Sequence, residues 1–178
     1  MSMLEIRKAS LTDIPALLGL INAYASQGIM LPRTEFEMAE NIRDFLAALE
    51  EGRLVGCGAL HFYTPTSGEV RSLAVETGLK TKGIGRALVQ ALEDEARVED
   101  LHSLFAFTYV PGFFRKLGFE EVDRGELPLK AWKDCLRCPK FQACDEIAML
   151  KRLKVEAPAT AVQPLEFAEM FQLPVLRK

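Results

Sequence analysis

A glycine-containing turn between an apolar run and an amphipathic helix is the feature that most constrains this chain. The apolar run 69–75 leads into the turn 80–85, Lys-Thr-Lys-Gly-Ile-Gly. Glycines before a helix let the backbone approach a phosphate, and the amides of a helix N-terminus add donors and partial positive charge. The helix that follows is predicted from Ile84, Leu88 and Leu92, which recur every four residues. Its polar residues are predicted to face water: Arg86, Gln90, Glu93, Asp94 and Arg97.

Two common nucleotide-binding motifs do not fit the turn. A P-loop requires Lys and Ser/Thr after its second glycine, where Ile84 and Gly85 stand. A dinucleotide-binding fingerprint requires a third glycine at the position of Leu88. The remaining pattern is a basic residue, two spacers and Gly-x-Gly. Taken alone, that pattern also fits a close contact between a helix and a strand.

Composition limits the classes of protein that the chain can be. With 178 residues, 49% of them hydrophobic, it can bury a sizeable core. A net charge of −3 gives no overall attraction to nucleic acid or to an anionic membrane. No apolar run approaches the roughly 20 residues that span a bilayer. Four cysteines without a secretory leader favour reduced thiols and a cytoplasmic location. We therefore expect an enzyme or a binding module, with no nucleic acid and no membrane among its partners.

The elements predicted along the chain follow the order β-α-α-β-β-α-β-α-β-β, an α+β domain over residues 1–153. The second helix is predicted from an apolar face of Phe36, Ala39, Ile42, Phe45, Leu46 and Leu49. The apolar run 103–110 is predicted to be a central strand, and residues 111–117 a short helix that ends at Gly118. Residues 154–178 begin rich in Pro and Ala and end apolar, which favours a tail with a docking segment, and a homodimer is a possible consequence.

The turn and its surroundings resemble the pyrophosphate loop of the GNAT superfamily of acyl-CoA N-acyltransferases, Gln/Arg-x-x-Gly-x-Gly/Ala, with Lys80 in the first place. The segment FFRKLGF, residues 113–119, resembles a helix that lies beside coenzyme A in that superfamily. The resemblance implies the GNAT fold, a mixed and mostly antiparallel sheet flanked by helices, with acetyl-CoA as acetyl donor. It implies donor contacts from Leu73, Ala74, Val75, Lys80, Thr81, Lys82, Gly83, Ile84, Gly85, Arg86 and Phe114.

Further segments, among them GCGALHFY, GEVRSLAV and ELPLKAWKDC, narrow the resemblance. They are similar to the acetyltransferase domain of N-acetylglutamate synthases and to short amino-acid N-acetyltransferases of bacterial arginine biosynthesis. This implies direct acetyl transfer, through a tetrahedral intermediate, to the α-amino group of an amino acid, with L-glutamate preferred. Transfer to another amine or to a protein N-terminus, and acyl-CoA sensing without turnover, stay open as alternatives.

The resemblance also implies catalytic roles. Glu69 matches the position of the general base, and the backbone amide near Leu73 would bind the thioester oxygen. Thr108 matches a hydroxyl-bearing position that helps to move a proton. Two plainer interpretations stay open: Glu69 as an exposed hairpin carboxylate, and Thr108 as an ordinary β-branched strand residue. The tyrosine acid of many superfamily members is replaced by Phe113 and Phe114.

The implied acceptor site has to bind carboxylates. Arg33 matches a carboxylate-binding position, and Ser72 would offer its backbone to the amino acid. His61 stands where the synthases carry lysine, which leaves a weaker cation or an ordinary half-buried histidine. Arg33 also fits a solvated arginine before a helix. Arg137 and Lys140 correspond only loosely to another carboxylate-binding region.

The cysteines Cys135, Cys138 and Cys144 form a C-x2-C-x5-C pattern. A structural zinc site needs a fourth ligand, and Cys57, His102 and Asp145 have no diagnostic spacing. Cysteines that pack as small apolar side chains are the preferred interpretation. No metal is therefore predicted, while zinc held by these three cysteines and an oxidation-sensitive cysteine pair stay open as alternatives.

Overall fold

The computed structural model describes residues 3–128, 138 and 140–154. Within them, seven strands form one sheet: β1 (Leu4–Lys8), β2 (Phe45–Glu50), β3 (Arg53–Thr64), β4 (Ser67–Val75), β5 (Ser103–Thr108), β6 (Glu120–Glu121) and β7 (Ile147–Arg152). The α-helices are α1 (Ile14–Ala25), α2 (Glu35–Asn41), α3 (Ile84–Val98) and α4 (Pro111–Arg115).

The strands lie in the order β1-β2-β3-β4-β5-β7-β6. Neighbouring strands are antiparallel except β4 and β5, which run parallel. This arrangement confirms the predicted mixed α+β sheet. It also confirms that the run from residue 103 is a central strand, because β5 has β4 on one side and β7 on the other.

The end of the predicted second helix is wrong. Helix α2 stops at Asn41, and residues 45–50 form β2. Phe36, expected on the buried face, is 71% exposed, whereas Met38 is fully buried. After β2 the chain reverses at Glu51 and Gly52, whose φ angles of 52° and 77° are both positive. Such turns close tight antiparallel hairpins. Residues 45–50 therefore pair with β3 as a strand and do not continue α2.

Helices cover both faces of the sheet. Helices α1 and α2 pack on one face through a cluster that includes Leu17, Ile21 and Met38. Helix α3 packs on the other face through Ile84, Leu88 and Leu92, as their spacing predicts, together with Phe114 of α4. Leu46 and Leu60 turn to the α3 side while Phe45 and Ala59 turn to the α1 side, as the alternation of a strand requires.

Glu93 corrects one predicted surface position of α3, because it is only 4% exposed. Lys151 Nζ and Arg97 Nη1 each lie 2.6 Å from its carboxylate. Burial disfavours the charged form of Glu93, but the hydrogen bonds from Lys151 and Arg97 outweigh burial and lower its pKa. Lys151 also donates to the Leu117 carbonyl at 2.8 Å. The ion pair therefore fastens α3 and β7 to the chain just after α4.

The described part of the chain ends shortly after β7. Of the predicted tail 154–178, only Lys154 lies within it. None of the described helices has both the length and the apolar character needed to cross a bilayer.

Candidate active site

A split between two central strands forms the centre of the candidate site. The parallel ladder of β4 and β5 covers only Ser67–Glu69 and Ser103–Phe105. β4 continues for six further residues and β5 for three, without pairing to each other within the described chain. Beyond Glu69, the side of β4 that faces β5 therefore has backbone amides and carbonyls available to a ligand that enters the split.

A bulge in β4 produces the split. Ser72 and Leu73 together oppose Gly58, since the register passes from Ala59–Arg71 to Cys57–Ala74. Ser72 has φ 51°, which is uncommon for a residue other than glycine. A bulge bends its strand and strengthens the local twist. The bulge thus lies at the two residues that are predicted to contact the thioester and the amino acid, and Ser72 carries the strained backbone.

The predicted anion-binding loop has the expected geometry. A 3₁₀ segment, Thr77–Lys82, leads to Gly83, whose φ of 82° is left-handed. A side chain built on Gly83 would meet no atom within 4 Å, so packing against a strand does not explain this glycine. No described side chain caps the start of α3. Its first amides are free to bind a phosphate, which fits the pyrophosphate of coenzyme A.

The predicted donor contacts differ in what they can offer. Lys80 and Lys82 are exposed, as is Arg86 in the first turn of α3, so these three can place positive charge near a phosphate. Ile84 is 1% exposed and can contribute only its backbone. Leu73, Ala74 and Val75 form the last stretch of β4, after the bulge. Thr81 lies in the same loop as the two lysines.

The side chain of Phe114, which is predicted among the donor contacts, lies in the core. Phe114 is 4% exposed, and its ring packs between those of Phe113 and Phe119 at 5.2 Å. The partly exposed ring of Phe113 packs beside Gly85 instead, since a Cβ at Gly85 would lie only 3.5 Å from it. Phe114 therefore supports the loop from within the core, and Phe113 is the aromatic ring beside it.

Helix α1 contacts both the donor loop and the acceptor side. The hydroxyl of Tyr24 donates to the carbonyl of Val75 at 2.5 Å, and the amine of Lys80 lies 4.8 Å from the Tyr24 ring centroid. The side chain of Asn22 accepts from the backbone N–H of Arg33 at 2.9 Å and donates to its carbonyl at 3.0 Å. Neither Asn22 nor Tyr24 was predicted as a site residue.

Arg33 reaches the bulge, as its predicted acceptor role requires. Its Nη2 lies 3.4 Å from the hydroxyl of Ser72, so the structure brings these two predicted residues together. Arg33 is only partly exposed, which excludes the alternative of a fully solvated arginine. A guanidinium held beside the split can bind a carboxylate with two parallel hydrogen bonds.

Four charged or titratable side chains lie near one another beside Ser72 on the α1 face. Glu69 of β4 pairs in register with His61 of β3. His61 Nδ1 lies 2.7 Å from Asp44 Oδ2, and Arg71 Nη2 lies 3.9 Å from the same oxygen. Glu69 is 1% exposed, so the alternative of an exposed hairpin carboxylate is excluded.

Thr108 ends β5 on the opposite side of the split. Counting in register from Glu69 and Phe105, Thr108 is level with Ser72. Its hydroxyl accepts a hydrogen bond from the Val110 amide at 3.0 Å, which leaves the hydroxyl proton available for donation. Thr108 therefore has the chemistry needed for a proton donor to a leaving group in the split.

Arg137 and Lys140 are the two cations that correspond only loosely to a second carboxylate-binding region. Lys140 lies 3.2 Å from the Tyr109 hydroxyl and 3.4 Å from Asp145, which balances its charge; Arg137 lies outside the described residues.

The cysteine pattern is only partly within the described residues, because Cys135 lies outside them. No group of three or more potential metal ligands occurs among the side chains that the structure describes. Burial raises the pKa of the Cys57 thiol to about 12.

Comparison with known proteins agrees with this architecture. The model of the acetyltransferase (GNAT) family matches residues 17–119. An uncharacterized N-acetyltransferase of Chlorobaculum tepidum is 43% identical over 148 residues, which are 83% of this chain and 96% of that protein. An amino-acid acetyltransferase of Mycobacterium tuberculosis is 35% identical over 121 residues, 66% of this chain and 69% of that one.

Among solved structures, N-acetylglutamate synthase from Neisseria gonorrhoeae, in complex with coenzyme A and N-acetyl-glutamate, has a TM-score of 0.78 at 29% identity. That match covers 87% of this chain and 36% of the synthase. The split sheet and the glycine loop thus define an acyl-CoA-dependent transferase. The chain belongs to the acetyltransferase (GNAT) family and is an acetyl-CoA-dependent N-acetyltransferase.

Proposed function

We propose that this enzyme transfers the acetyl group of acetyl-CoA to the α-amino group of an amino acid, and that L-glutamate is its preferred acceptor. The observation that carries the proposal is the contact between Arg33 and Ser72, which holds a cation beside the bulge of β4. An amino-acid acceptor needs such a cation for a carboxylate next to the reacting amine. The product, N-acetylglutamate, is an intermediate of arginine biosynthesis in the families that the sequence resembles.

The bulge of β4 has a catalytic role in this proposal. The amide near Leu73 donates to the thioester oxygen and stabilises the negative charge that develops there as the amine attacks. The strained backbone of Ser72 keeps this donor in place before the substrates bind. Ser72 also offers its backbone to the amino acid. Attack is direct, without an acetylated enzyme, and passes through a tetrahedral intermediate.

Two side chains would transfer protons. The carboxylate of Glu69 takes a proton from the acceptor ammonium, directly or through one water, since only the neutral amine attacks. The hydroxyl of Thr108, level with Ser72 across the split, donates its proton to the leaving sulfur and takes up the second proton of the attacking nitrogen in exchange. A thiol with an ordinary pKa near 8.5 is already a fair leaving group, so we expect a larger effect from loss of Glu69 than from loss of Thr108.

Specificity for glutamate needs a site for its second carboxylate. Arg33 supplies the first cation, and Arg71 lies near the same part of the sheet. Asp44 offsets part of the charge of Arg71. A pocket that keeps the positive charge of Arg33 favours a dicarboxylic amino acid over a polyamine, because Arg33 would repel a polycation.

The experiment that tests this proposal compares Arg33→Ala and Arg33→Lys with the parent enzyme. Loss of a hydrogen bond to a charged group costs enough that Arg33→Ala should raise the KM for glutamate by about 10- to 100-fold. The KM for acetyl-CoA should change by less than about twofold, since the contacts that position Arg33 are those with Ser72 and Asn22 on the acceptor side. Arg33→Lys keeps the charge and should lie between the two. Equal effects on both KM values would remove Arg33 from the acceptor site.

A further inference from the structure

The proposed reaction leaves a proton that must leave the enzyme, and the inference below rests on that proposed function. An ammonium and a thioester give an amide, a thiol and one proton. The second proton of the ammonium ends on the sulfur, whereas the first is taken by Glu69. Glu69 is 1% exposed, so it has almost no direct contact with solvent through which to release that proton.

The cross-strand neighbour of Glu69 is closer to solvent than Glu69 itself. His61 is the direct cross-strand partner of Glu69, and Cβ atoms of such pairs lie about 4.5–5.5 Å apart on one face of the sheet. The side chain of His61 is 18% exposed, and that of Asp44, 2.7 Å away, is 25% exposed. Exposure therefore increases from Glu69 to His61 to Asp44.

Asp44 determines which nitrogen of His61 can act. An ionised carboxylate only accepts hydrogen bonds, so the contact of Asp44 with Nδ1 places a proton there and leaves Nε2 as the acceptor. On the other side, the ring of His61 packs edge-on against Tyr63 at 5.1 Å. Arg71, 3.9 Å from Asp44, places a positive charge beside the carboxylate. The imidazole is thus held in one orientation by its neighbours.

We propose that His61 is a proton relay for Glu69 and that Asp44 is the residue that positions it. Glu69 takes a proton from the acceptor ammonium and becomes a carboxylic acid. Nε2 of His61 accepts that proton, which restores the Glu69 carboxylate, and the imidazolium is stabilised by Asp44. The same proton then passes from Nε2 to water or buffer, and all three groups return to their starting states.

The test measures kcat with both substrates saturating, at neutral pH in dilute bulky buffer, with and without added imidazole. His61→Gln should lower kcat by about tenfold and leave both KM values nearly unchanged, because proton transfer and not binding is impaired. Added imidazole should restore most of the loss, since a small base can take the place of the missing ring. Asp44→Asn, which keeps the ring, should show a smaller loss and partial rescue.

The matched control is His102→Gln, at the other histidine of the sequence, which lies just before β5 and outside the proposed relay, and it should respond to imidazole as the parent does. Glu69→Gln removes the group that loads the relay and should not be rescued. A normal kcat for His61→Gln at every imidazole concentration would overturn the relay. So would a raised KM for the amino acid without rescue, which would make His61 a binding residue.

Failure of the relay is distinguishable from failure of the proposed function. A parent enzyme that releases no coenzyme A with any amino acid would overturn both. A parent that turns over, with variants that imidazole does not affect, would overturn the relay alone. If His61→Gln does not fold, Asp44→Asn decides: a kcat equal to that of the parent would overturn the relay.

Discussion

The hydroxyl of Tyr24 donates a 2.5 Å hydrogen bond to the carbonyl of Val75, the last residue of β4. Two positions earlier on the same helix, Asn22 holds both backbone polar groups of Arg33. The end of α1 therefore fixes the strand that leads to the donor loop and the arginine proposed to bind the acceptor. Each contact can be removed separately, so the two sites can be tested independently.

Loss of the Tyr24 hydroxyl should weaken donor binding. Tyr24→Phe keeps the ring under Lys80 but removes a buried hydrogen bond, which is worth about 1 kcal/mol. We expect the KM for acetyl-CoA to rise by about fivefold, with the amino-acid KM nearly unchanged. Steady-state kinetics with each substrate varied in turn measures both. Ser26→Ala, which removes a hydroxyl one residue beyond α1, is the control and should change neither constant.

Loss of the Asn22 amide should weaken acceptor binding instead. Asn22→Ala removes two hydrogen bonds to the Arg33 backbone, so the guanidinium is no longer held near Ser72. The amino-acid KM should rise by about tenfold, as expected for the loss of one to two hydrogen bonds. The matched control is Asn41→Ala, because the side-chain amide of Asn41 donates to the Glu37 carbonyl within α2. A larger change in the acetyl-CoA KM than in the amino-acid KM would contradict the account.

The donor loop offers two glycines that differ in one property. A Cβ has room at both Gly78 and Gly83, but only Gly83 has a positive φ. Gly83→Ala should therefore cost about 1 kcal/mol of stability and raise the KM for acetyl-CoA by about three- to tenfold, because the loop backbone is displaced from the phosphates. Gly78→Ala should do neither. Equal effects of the two variants would show that bulk, and not backbone conformation, decides donor binding.

The buried ion pair of Glu93 should make stability depend on acidity. The pKa of Glu93 is lowered from its ordinary value of 4.5, because hydrogen bonds from Lys151 and Arg97 outweigh the effect of burial. A lowered folded-state pKa contributes stability above 4.5 that is lost as pH falls through the folded-state value. Glu93→Gln should cost about 1–3 kcal/mol at neutral pH and less in acid.

Urea unfolding at several pH values measures this difference. Asp94→Asn, at an exposed position of the same helix, is the control and should change stability little at any pH. A loss of stability in Glu93→Gln that is the same at every pH would mean that Glu93 contributes packing and no charge.

The parts of the fold that follow from local pattern are predictable from the sequence. The spacing of Ile84, Leu88 and Leu92 identifies α3, and the glycine before it identifies the loop. The boundary of α2 was predicted wrongly because Phe45, Leu46 and Leu49 fit helical spacing, and a strand buried on both faces lacks the alternation that identifies an edge. The Glu51-Gly52 turn was the available signal.

Contacts between distant residues account for what the sequence does not reveal. Tyr24 and Val75 are 51 positions apart, and Glu93 and Lys151 are 58. No periodicity indicates such partners, so the sequence places Tyr24 in neither site and Glu93 on the surface. Asp44 escapes prediction for another reason: the sequence around it fits a helix, although it lies in the 3₁₀ turn before β2.

The most direct test of the account is the rate of coenzyme A release from acetyl-CoA by the purified enzyme with each of the common amino acids, with the product identified by mass. We predict the highest kcat/KM for L-glutamate, with N-acetylglutamate as the product. A preference for another amino acid would leave the acetyl-transfer mechanism intact but contradict the proposed acceptor. Binding of acetyl-CoA without release of coenzyme A in any mixture would contradict amino-acid acetylation altogether.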